Sequence, residues 1–553
     1  MKRLFILHPV LFAVYPIFFI LAYNVEQLYL ADDFFLSYIL IPIIISLCMA
    51  FALWLLLFLI IKDARKAGLI TSFFLMQFFS YGHLHNIVDQ KMGTFVFEAG
   101  NLIIGPHKIV FSLFFLSTII VFYFTVRAKR GLYALTKGLN LAGIILVCVT
   151  LFGILTGGIV GGVPADDAAK TVSPAAAHAT KAGAVKKMPD IYYIILDAYA
   201  GSNVLREVYG YDNSGFEEYL REKGFYIARD SRSNYTTTTL SLASSLNMDY
   251  VDFGADADRG SVLNRPASIV YRMHMNNKVM RGLKDMGYKI VYLASSYGFT
   301  QHCKYADIEY HCGSWLNEFY IMLIKTTMLV RFKRYFLVEN DRKAVQDAFC
   351  LLSEAPAIKG PKFVFAHIVK PHPPYLFDRE GNIPEGETVV EMYGGVWGQR
   401  DKYIDQLIFI NKKVMSMVDD ILRNSASEPI IIIQADHGTA STAVCDLINE
   451  QPRLWEGLSG AKSMLISKKL DSIYRDPTYA ILDERTSILN AYHLPGRADE
   501  LIYDKITPVN TFRVIFKHYF NLDYELIEDK TYYSPPQDPY NFSDVTDRLQ
   551  TRW

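Results

Sequence analysis

The sequence predicts a five-helix transmembrane module followed by an α/β domain whose central sheet is mostly parallel and covered by helices. Two observations predict this organisation. Hydrophobic residues make up 51% of the 553 residues and the mean hydropathy is +0.15, with the long apolar stretches concentrated before residue 162. After residue 188, short apolar runs alternate with helical patterns, as in α/β domains.

Five stretches near the N-terminus are candidates for transmembrane helices, which need about 20 mostly apolar residues. They are Leu4–Tyr23, Phe34–Ile61, Ala67–Tyr81 (extendable to about Ile87), Ile109–Val126 and Leu139–Val160. The third is the weakest because it is short and runs into Gly82 and two histidines, His83 and His85. A signal peptide is the alternative for the first stretch, but no small-residue cleavage site follows it.

The basic residues near the span ends predict a cytoplasmic N-terminus. In that orientation the inner segments carry nearly all of the Lys and Arg residues of the region 1–162. They are Lys2, Arg3, Lys62, Arg65, Lys66, Arg127, Lys129, Arg130 and Lys137. Five spans then place the rest of the chain outside a bacterial cytoplasmic membrane, in the periplasm or at the cell surface. We therefore expect a transmembrane domain over 1–162, an Ala-rich linker over 163–187 and an extracytoplasmic domain over 188–553.

The charge balance excludes one class of partner. The 56 Lys and Arg residues equal the 56 Asp and Glu residues, so the formal net charge is zero. A nucleic-acid-binding protein that relies on a bulk positive field is therefore not expected. Aromatic residues at 14% and charged residues at 20% also exclude a largely disordered chain.

Four short apolar runs predict parallel strands that are buried on both faces. They are Ile191–Leu196, Lys289–Leu293, Phe363–His367 and Ile430–Gln434. Helical patterns lie between them, at Phe216–Lys223, Asn277–Met286, Arg342–Ser353 and Tyr403–Leu422. Ligands of such sheets bind beyond the carboxyl ends of the strands. Polar residues that directly follow the strands are therefore the candidate functional residues.

Two strand ends carry residues that bind hard cations. Asp197 follows the first predicted strand, and Asp436 and His437 follow the last. Carboxylate and imidazole ligands suit zinc, manganese or magnesium, and the ligand types do not choose among these metals. The alternatives are that Asp197 caps the following helix and that His437 is an ordinary loop residue. The two motifs together favour a site for one divalent metal ion.

A run of four threonines, residues 236–239, lies at a predicted loop-to-helix transition and could supply a nucleophile. Backbone N–H groups at a helix N-terminus favour an incoming phosphate, and a nearby metal would lower the pKa of a threonine hydroxyl. Simple helix capping is the competing interpretation. Asn234, just before the run, is a candidate substrate-binding residue.

The loop 369–375 follows the strand Phe363–His367 and supplies the third candidate element. His372 could donate a proton to a phosphoryl oxygen or to a leaving group. Lys370 is either a second phosphate contact or a solvated lysine, and Tyr375 is a further candidate for substrate binding. His367, inside the strand, is expected to be a packed core histidine.

Together these motifs resemble the alkaline phosphatase and sulfatase superfamily, in particular its membrane-anchored branch of lipoteichoic acid synthases and phosphoethanolamine and phosphoglycerol transferases. The resemblance implies that Asp197, Asp436 and His437 are metal ligands. Its T-x-x-S-[LV] motif selects Thr238 as the nucleophile and a further ligand, and its H-x-P-Y loop matches the segment that begins at His372. The sulfatase signature C/S-x-P-x-R is absent around the threonines, which favours phosphoryl chemistry.

The resemblance implies an enzyme that transfers a phosphorylated head group from a membrane phospholipid to an envelope glycan or lipid. Thr238 would attack the phosphorus, diacylglycerol would leave, and an acceptor hydroxyl would displace the threonine with assistance from His372. Two alternatives stay open: a membrane-tethered phosphodiesterase or sulfatase-like hydrolase with water as acceptor, and a non-catalytic scaffold in envelope assembly.

Two further segments of the exported part carry predictions. Cys303 and Cys312 flank a short loop, and an oxidising compartment would favour a disulfide between them. The segment Phe319–Val338 is apolar with interleaved basic residues. It could lie in the membrane interface, or it could be a core helix with a solvated basic face.

Overall fold

The computed structural model describes residues 5–23, 34–92, 97–99, 102–104, 106–129, 132–161, 188–253, 266–313, 318–385, 397–452, 460–496 and 498–550. The predicted linker 163–187 lies outside the described residues. The N-terminal part consists of long helices, and the part after Met188 is an α/β domain.

The N-terminal part contains helices α1 (His8–Tyr23), α2 (Phe34–Ile61), α3 (Ala64–Met92), α4 (Pro106–Arg127) and α5 (Leu132–Gly161), with a hairpin of strands β1 (Phe97–Ala99) and β2 (Leu102–Ile104) before α4. Among the described residues, α2, α4 and α5 each contain a segment long and apolar enough to cross a membrane. Helix α1 is apolar but shorter, and α3 is more polar. Length and composition thus identify three spans rather than the predicted five.

Polar side chains between these helices have partners inside the bundle. Asn140 of α5 accepts hydrogen bonds from the N–H groups of Leu7 and His8 at 3.0 and 2.9 Å, so it satisfies donors at the start of α1. Gln77 of α3 donates to Ser117 of α4 at 2.7 Å. Such internal pairing is required in an apolar environment, where water is not available.

The α/β domain is built on a seven-stranded sheet in the order β4-β9-β8-β3-β7-β5-β6. Its strands are β3 (Ile191–Leu196), β4 (Tyr226–Ile227), β5 (Lys289–Ala294), β6 (Ile308–His311), β7 (Lys362–Ile368), β8 (Ile430–Gln434) and β9 (Asn490–His493). Strands β8, β3, β7, β5 and β6 are parallel, and β9 is antiparallel to both of its neighbours. The mostly parallel sheet is as predicted, and the four predicted strands are its centre. A two-stranded ribbon of β10 (Tyr532–Tyr533) and β11 (Ser543–Asp544) lies apart from this sheet.

Helices cover both faces of the sheet because its central strand is apolar on both sides. Alternate residues of β3 enter two different cores: Tyr192, Ile194 and Leu196 face one, and Ile191, Tyr193 and Ile195 face the other. The first face is covered by α6 (Ser202–Glu207), α7 (Ser214–Glu222), α12 (Lys333–Glu354) and α13 (Arg400–Asn424). The second is covered by α8 (Thr238–Asn247), α9 (Pro266–Met275), α10 (Lys278–Asp285) and α18 (Pro508–Phe520). The remaining helices are α11 (Glu318–Thr326), α14 (Ser441–Glu450), α15 (Gly460–Arg475), α16 (Tyr479–Thr486), α17 (Ala498–Leu501) and α19 (Thr546–Gln550).

The segment Phe319–Val338 connects the two parts of the protein. It forms α11, a 3-10 turn over Met328–Phe332 and the start of α12. Phe319 and Tyr320 pack in a cluster with apolar residues of α1, α2 and α5, including Ile17. The basic side chain of Lys325 is exposed. The segment therefore packs its apolar residues on the N-terminal helices while keeping this charge at the surface.

Substituting Gly82 should loosen the contact between the two parts. A Cβ at Gly82 of α3 would lie 1.9 Å from the carbonyl oxygen of Lys325, so α11 must move to accommodate Gly82→Ala. We expect a loss of about 1–3 kcal/mol of stability, measured as a lower thermal midpoint of the detergent-solubilised protein. Gly138→Ala in α5 is the matched control because nothing lies within 4 Å of its added Cβ. Equal midpoints for both variants would contradict this contact.

The predicted disulfide between Cys303 and Cys312 is not present, since both cysteines are free. The physical reason is that the two side chains pack on opposite faces of the sheet. Cys312, directly after β6, is buried in the core on the α12 side. Cys303 packs against the other core, where its Sγ lies 3.4 Å from the Sδ of Met280.

Candidate active site

Asp197 lies at the carboxyl edge of the sheet, directly after the central strand β3. Its N–H donates to the carbonyl of Ile368 and its carbonyl accepts from the N–H of His372, both at 3.0 Å, so its backbone is bound to the end of β7 and the following loop. The N-cap of α6 is Gly201. The capping alternative for Asp197 is therefore wrong, and its carboxylate is directed at the site instead.

Asp436 and His437 follow β8, the neighbour of β3, and reach the same point. Asp436 Oδ1 accepts hydrogen bonds from the N–H groups of Ala198 (3.0 Å) and His437 (2.9 Å). His437 Nδ1 donates to the carbonyl of Gly438 at 2.8 Å. That bond assigns the proton to Nδ1 and leaves the lone pair on Nε2, the tautomer that a metal ligand requires.

Three ligand atoms converge between these loops. His437 Nε2 lies 3.7 Å from Asp197 Oδ1 and 3.5 Å from Asp436 Oδ2, and one ligand atom from each residue lies within 4.8 Å of the others. Asp197 Oδ1 and Asp436 Oδ2 are buried and have no hydrogen-bond partner. Because unpaired buried carboxylate oxygens are costly, this arrangement suits a cation. Two oxygens and one nitrogen fit a divalent metal such as zinc, manganese or magnesium.

The protonation state of Asp197 also fits a ligand. Burial would raise the pKa of this carboxyl group, but the imidazoles of His372, His367 and His437 hold it well below its usual range. Asp197 is therefore ionised, and its charge is available to a metal ion.

Thr238, the first residue of α8, is the threonine that lies beside this cluster. Its hydroxyl donates to His437 Nε2 at 3.4 Å. The other three hydroxyls point elsewhere: Thr236 donates to the carbonyl of Ser534, Thr239 bonds to Tyr540, and Thr237 is buried without a partner. The N-cap position belongs to Thr237, whose side chain makes no capping hydrogen bond. Of the four threonines, Thr238 is thus the one whose hydroxyl contacts His437 of the cluster.

His372 lies at the edge of the cluster, half-buried, with its ring centroid 6.2 Å from that of His437. Its Nδ1 donates to the carbonyl of Pro373 at 2.5 Å, which leaves Nε2 as a proton acceptor. Burial lowers the pKa of His372, although Asp197 opposes this effect. The neutral imidazole is therefore favoured, as a general base requires.

The three residues predicted to bind substrate differ in their surroundings. Lys370 is buried, with its Nζ donating to the carbonyl of His372 at 3.2 Å, so the solvated alternative is wrong. Burial lowers the pKa of Lys370 to about 8. Tyr375 is buried, with a hydroxyl that has no hydrogen-bond partner.

The side-chain amide of Asn234 is used in hydrogen bonds within the protein. Its side chain donates to the hydroxyl of Thr507 and the carbonyl of Lys530, both at 2.9 Å, and accepts from the N–H of Val509 at 2.8 Å. These three bonds use both amide hydrogens and fix the start of α18. A substrate-binding role for Asn234 is therefore not supported.

Two buried residues near the cluster were missed by sequence reasoning. His367 was expected to be only a packed residue, yet its Nε2 lies 3.4 Å from Asp197 Oδ2 while its Nδ1 bonds to Thr300 at 2.8 Å. Its position opposite Ile195 in the β3–β7 ladder explains the contact. His367 would have been identified if the pairing of β7 with β3 had been known, and a single sequence does not reveal which strands are neighbours.

Arg485 of α16 is the second missed residue. Its guanidinium donates to the carbonyl of Gly438 at 3.4 Å and to the carbonyl of Thr236, so it joins the loop of Asp436 and His437 to the loop of the threonines. The neighbouring Glu484 accepts from the N–H groups of Ser441 and Thr442 at the start of α14. Helix α16 thus holds both loops in place.

Substituting Gly438 should disturb this arrangement strongly. A Cβ at Gly438 would lie 2.0 Å from the backbone carbonyl of Glu484, and backbone cannot rotate away as a side chain can. For Gly438→Ala we expect a loss of about 1–3 kcal/mol, seen as a lower thermal midpoint, together with weaker metal binding. Gly215→Ala in α7, where nothing lies within 4 Å, is the control. Unchanged metal affinity in Gly438→Ala would contradict this packing.

No protein-family model matches the sequence, and no curated protein matches it. Among solved structures, the chain is similar to the C-terminal periplasmic domain of EcEptC from Escherichia coli in complex with Zn (TM-score 0.41, 12% identity, 66% of this chain and 95% of that chain). It is also similar to the C-terminal periplasmic domain of the phosphoethanolamine transferase EptC from Campylobacter jejuni (TM-score 0.38, 12% identity, 62% of this chain and 92% of that chain). A further similar structure is the integral membrane lipooligosaccharide phosphoethanolamine transferase A (EptA) from Neisseria meningitidis (TM-score 0.38, 11% identity, 94% of this chain and 96% of that chain). These neighbours include phosphoethanolamine transferases, one of the groups that the motifs resemble.

Proposed function

We propose that the protein is a metal-dependent transferase that moves a phosphorylated head group from a membrane phospholipid to an envelope glycan or lipid. The observation that carries this proposal is the convergence of Asp197, Asp436 and His437 on a point beside the Thr238 hydroxyl. Nucleophile, cation ligands and a helix N-terminus in one place are what phosphoryl transfer requires.

In the first step, Thr238 Oγ1 forms a bond to phosphorus while the bond from phosphorus to the diacylglycerol oxygen breaks. The hydroxyl proton of Thr238 passes to the diacylglycerol oxygen, so a phosphothreonine and a neutral diacylglycerol result. Asp197, Asp436 and His437 would hold a divalent metal, which when bound would lower the pKa of the hydroxyl and offset charge on the phosphoryl oxygens. N–H groups in the first turn of a helix have no partner within that helix, so those of α8 would favour the same negative charge.

In the second step, an acceptor hydroxyl attacks the phosphothreonine and its proton passes to the departing Thr238 oxygen. We assign this proton transfer to His372, because its Nε2 is the unprotonated nitrogen and the loop that carries it is bonded to the backbone of Asp197. Lys370 is assigned to the phosphoryl group, since its buried ammonium lies in the same loop as His372.

The N-terminal helices support a lipid as the donor. We propose that all five helices of residues 1–162 cross a bacterial cytoplasmic membrane with the N-terminus inside, that 163–187 is a linker, and that 188–553 is the catalytic domain on the outer face. Three of these helices have the length and apolar composition of spans. The packing of α11 on the N-terminal helices would hold the catalytic domain close to its lipid substrate.

The proposal is tested with the purified full chain in liposomes that contain phospholipid labelled in the head group, with zinc, manganese or magnesium and an envelope glycolipid as acceptor. We expect a peptide containing Thr238 to gain the mass of the phosphorylated head group, and the label to appear on the acceptor. Label released to water alone would make the protein a phosphodiesterase. An adduct on a residue other than Thr238 would overturn the mechanism.

A further inference from the structure

The 3-10 turn Met328–Phe332, between α11 and α12, presents two large apolar side chains that the protein leaves uncovered. Leu329 is 38% exposed and Phe332 is 58% exposed. Val330, between them, is buried. Single exposed apolar residues are ordinary on protein surfaces, so the place of this turn in the fold decides what its two exposed residues mean.

The turn lies against the N-terminal helices, near one end of a candidate membrane span. Val330 packs in a cluster with Tyr81 of α3 and Val110 of α4. The part of α4 that is long and apolar enough to cross a membrane is His107–Arg127. Val110 is the fourth residue of that segment, which places it about 5 Å from the end of the span. With α4 across a bilayer, this level is the boundary between the acyl chains and the head groups.

The surroundings of the turn are basic. The segment Phe319–Val338 contains four basic residues and no acidic residue. Lys325, at the end of α11, and Arg331, in the turn, both have exposed side chains. Long basic side chains keep their charge in water while their aliphatic stems lie along apolar surface. Exposed apolar residues combined with basic ones are typical of segments that bind the surface of an anionic bilayer.

We propose that this turn inserts Leu329 and Phe332 into the membrane leaflet next to the α/β domain. Lys325 and Arg331 bind the head groups of anionic phospholipids at the same level. The bilayer is the occupant of this surface because the turn continues the surface of two N-terminal helices, α3 and α4, and carries the charge opposite to that of such head groups. The inference rests on the membrane placement of the N-terminal helices and is independent of the proposed transfer reaction.

Tryptophan fluorescence of the full chain in liposomes tests the depth of the turn. In Phe332→Trp and Leu329→Trp the new indole replaces an exposed side chain, so the substitution removes little packing inside the protein. We expect its emission to be quenched by phospholipid that is brominated in the acyl chains, because bromine quenches only at short range. Leu526→Trp is the matched control. Leu526 is 44% exposed in the loop after α18, which covers the opposite face of the sheet from α12, and emission from this position should not change.

The same reporter measures the preference for anionic lipid. Liposomes of phosphatidylcholine and phosphatidylglycerol carry the bromine label on one lipid or on the other, at equal mole fractions. We expect labelled phosphatidylglycerol to quench the reporter in Phe332→Trp as if it were enriched at least about fivefold, since one basic residue near an anionic surface contributes about that factor. High salt should reduce the enrichment because it screens exposed charges.

Substitution of the basic residues identifies the source of that preference. The enrichment should disappear when Lys325→Gln and Arg331→Gln are added to the reporter chain, while quenching by labelled phosphatidylcholine is retained. Lys359→Gln is the matched control because it removes an exposed lysine just before β7, at the amino end of the sheet. It should leave the enrichment unchanged.

The native tryptophan Trp54 makes the outcomes separable. It lies in α2 within the candidate span Ile39–Ile61, so brominated lipid should quench part of the emission of the unchanged chain. If it does not, the membrane placement is wrong and the inference falls with it. If Trp54 is quenched while Phe332→Trp and Leu329→Trp add no quenched emission, water or protein covers the turn and the inference is overturned. Equal quenching by the two labelled lipids would overturn the assignment to anionic head groups. Failure of head-group transfer would affect none of these measurements.

Discussion

Replacing Thr238 with valine should abolish head-group transfer, with a loss of at least about a thousandfold in rate, as for removal of other catalytic nucleophiles. Valine keeps the β-branched shape of threonine, so the packing at the start of α8 is preserved. It removes the hydroxyl that lies 3.4 Å from His437 Nε2. The measurement is transfer of labelled head group by the full chain in liposomes, together with mass spectrometry of the peptide that contains residue 238.

Thr237→Val is the matched control. The hydroxyl of Thr237 is buried and has no hydrogen-bond partner, so its loss removes no bond from the folded protein. Thr237→Val should therefore keep both transfer and the covalent adduct. If Thr238→Val retained more than about a tenth of the activity, the nucleophile would have to be another group.

The second large effect is expected for metal binding by Asp436→Asn. Asparagine keeps an oxygen at Oδ1, which accepts from the N–H groups of Ala198 and His437, and it replaces the charged ligand oxygen Oδ2 with an amide. Loss of residues that merely support metal ligands costs about 10–100-fold in affinity, so loss of a ligand should cost more. Zinc affinity is measured by competition with a chelator.

The same substitution should have the opposite effect on the metal-free protein. Without a cation, the carboxylates of Asp197 and Asp436 repel each other, and removing one charge relieves that repulsion. We expect Asp436→Asn to unfold at a higher temperature than the unchanged chain in excess chelator, and at a lower one in excess zinc. Asp446→Asn, an exposed position in α14, should change neither value. Zinc stabilisation that survives in Asp436→Asn would place the metal elsewhere.

The sheet and the candidate metal cluster of Asp197, Asp436 and His437 could be predicted because their signals are local. Runs such as Ile191–Leu196 are apolar on both faces, as buried parallel strands are. Ligands bind at the carboxyl ends of such strands, so a polar residue there is a candidate functional residue. Asp197 and the pair Asp436 and His437 were found in this way. Thr238 could be chosen from four neighbours only through the resemblance, because helix capping and catalysis favour the same residue types at the same position.

The remaining features depend on contacts between distant parts of the chain. Asn234 has the composition of a binding residue, yet its amide is used by residues more than 270 positions away. Arg485 lies in a helix whose sequence carries no functional motif. Its role follows only from its hydrogen bonds to two loops that are distant in the sequence. The spacing of Cys303 and Cys312 suits a disulfide, but the sequence does not reveal that the edge of the sheet separates them.

The long range of these contacts has a consequence for the maturation of the protein. Ala198 and Asp436, joined by a hydrogen bond, are 238 residues apart, and Arg485 and Thr236 are 249 apart. Contacts between such distant residues form slowly during folding. A chain that has emerged only as far as β7 contains Asp197 and Thr238 but lacks Asp436, His437 and the helix α16 that fixes their loop. On the proposed function, Thr238 would therefore gain its partner His437 only once nearly the whole domain has folded, so a partly folded chain would be inactive.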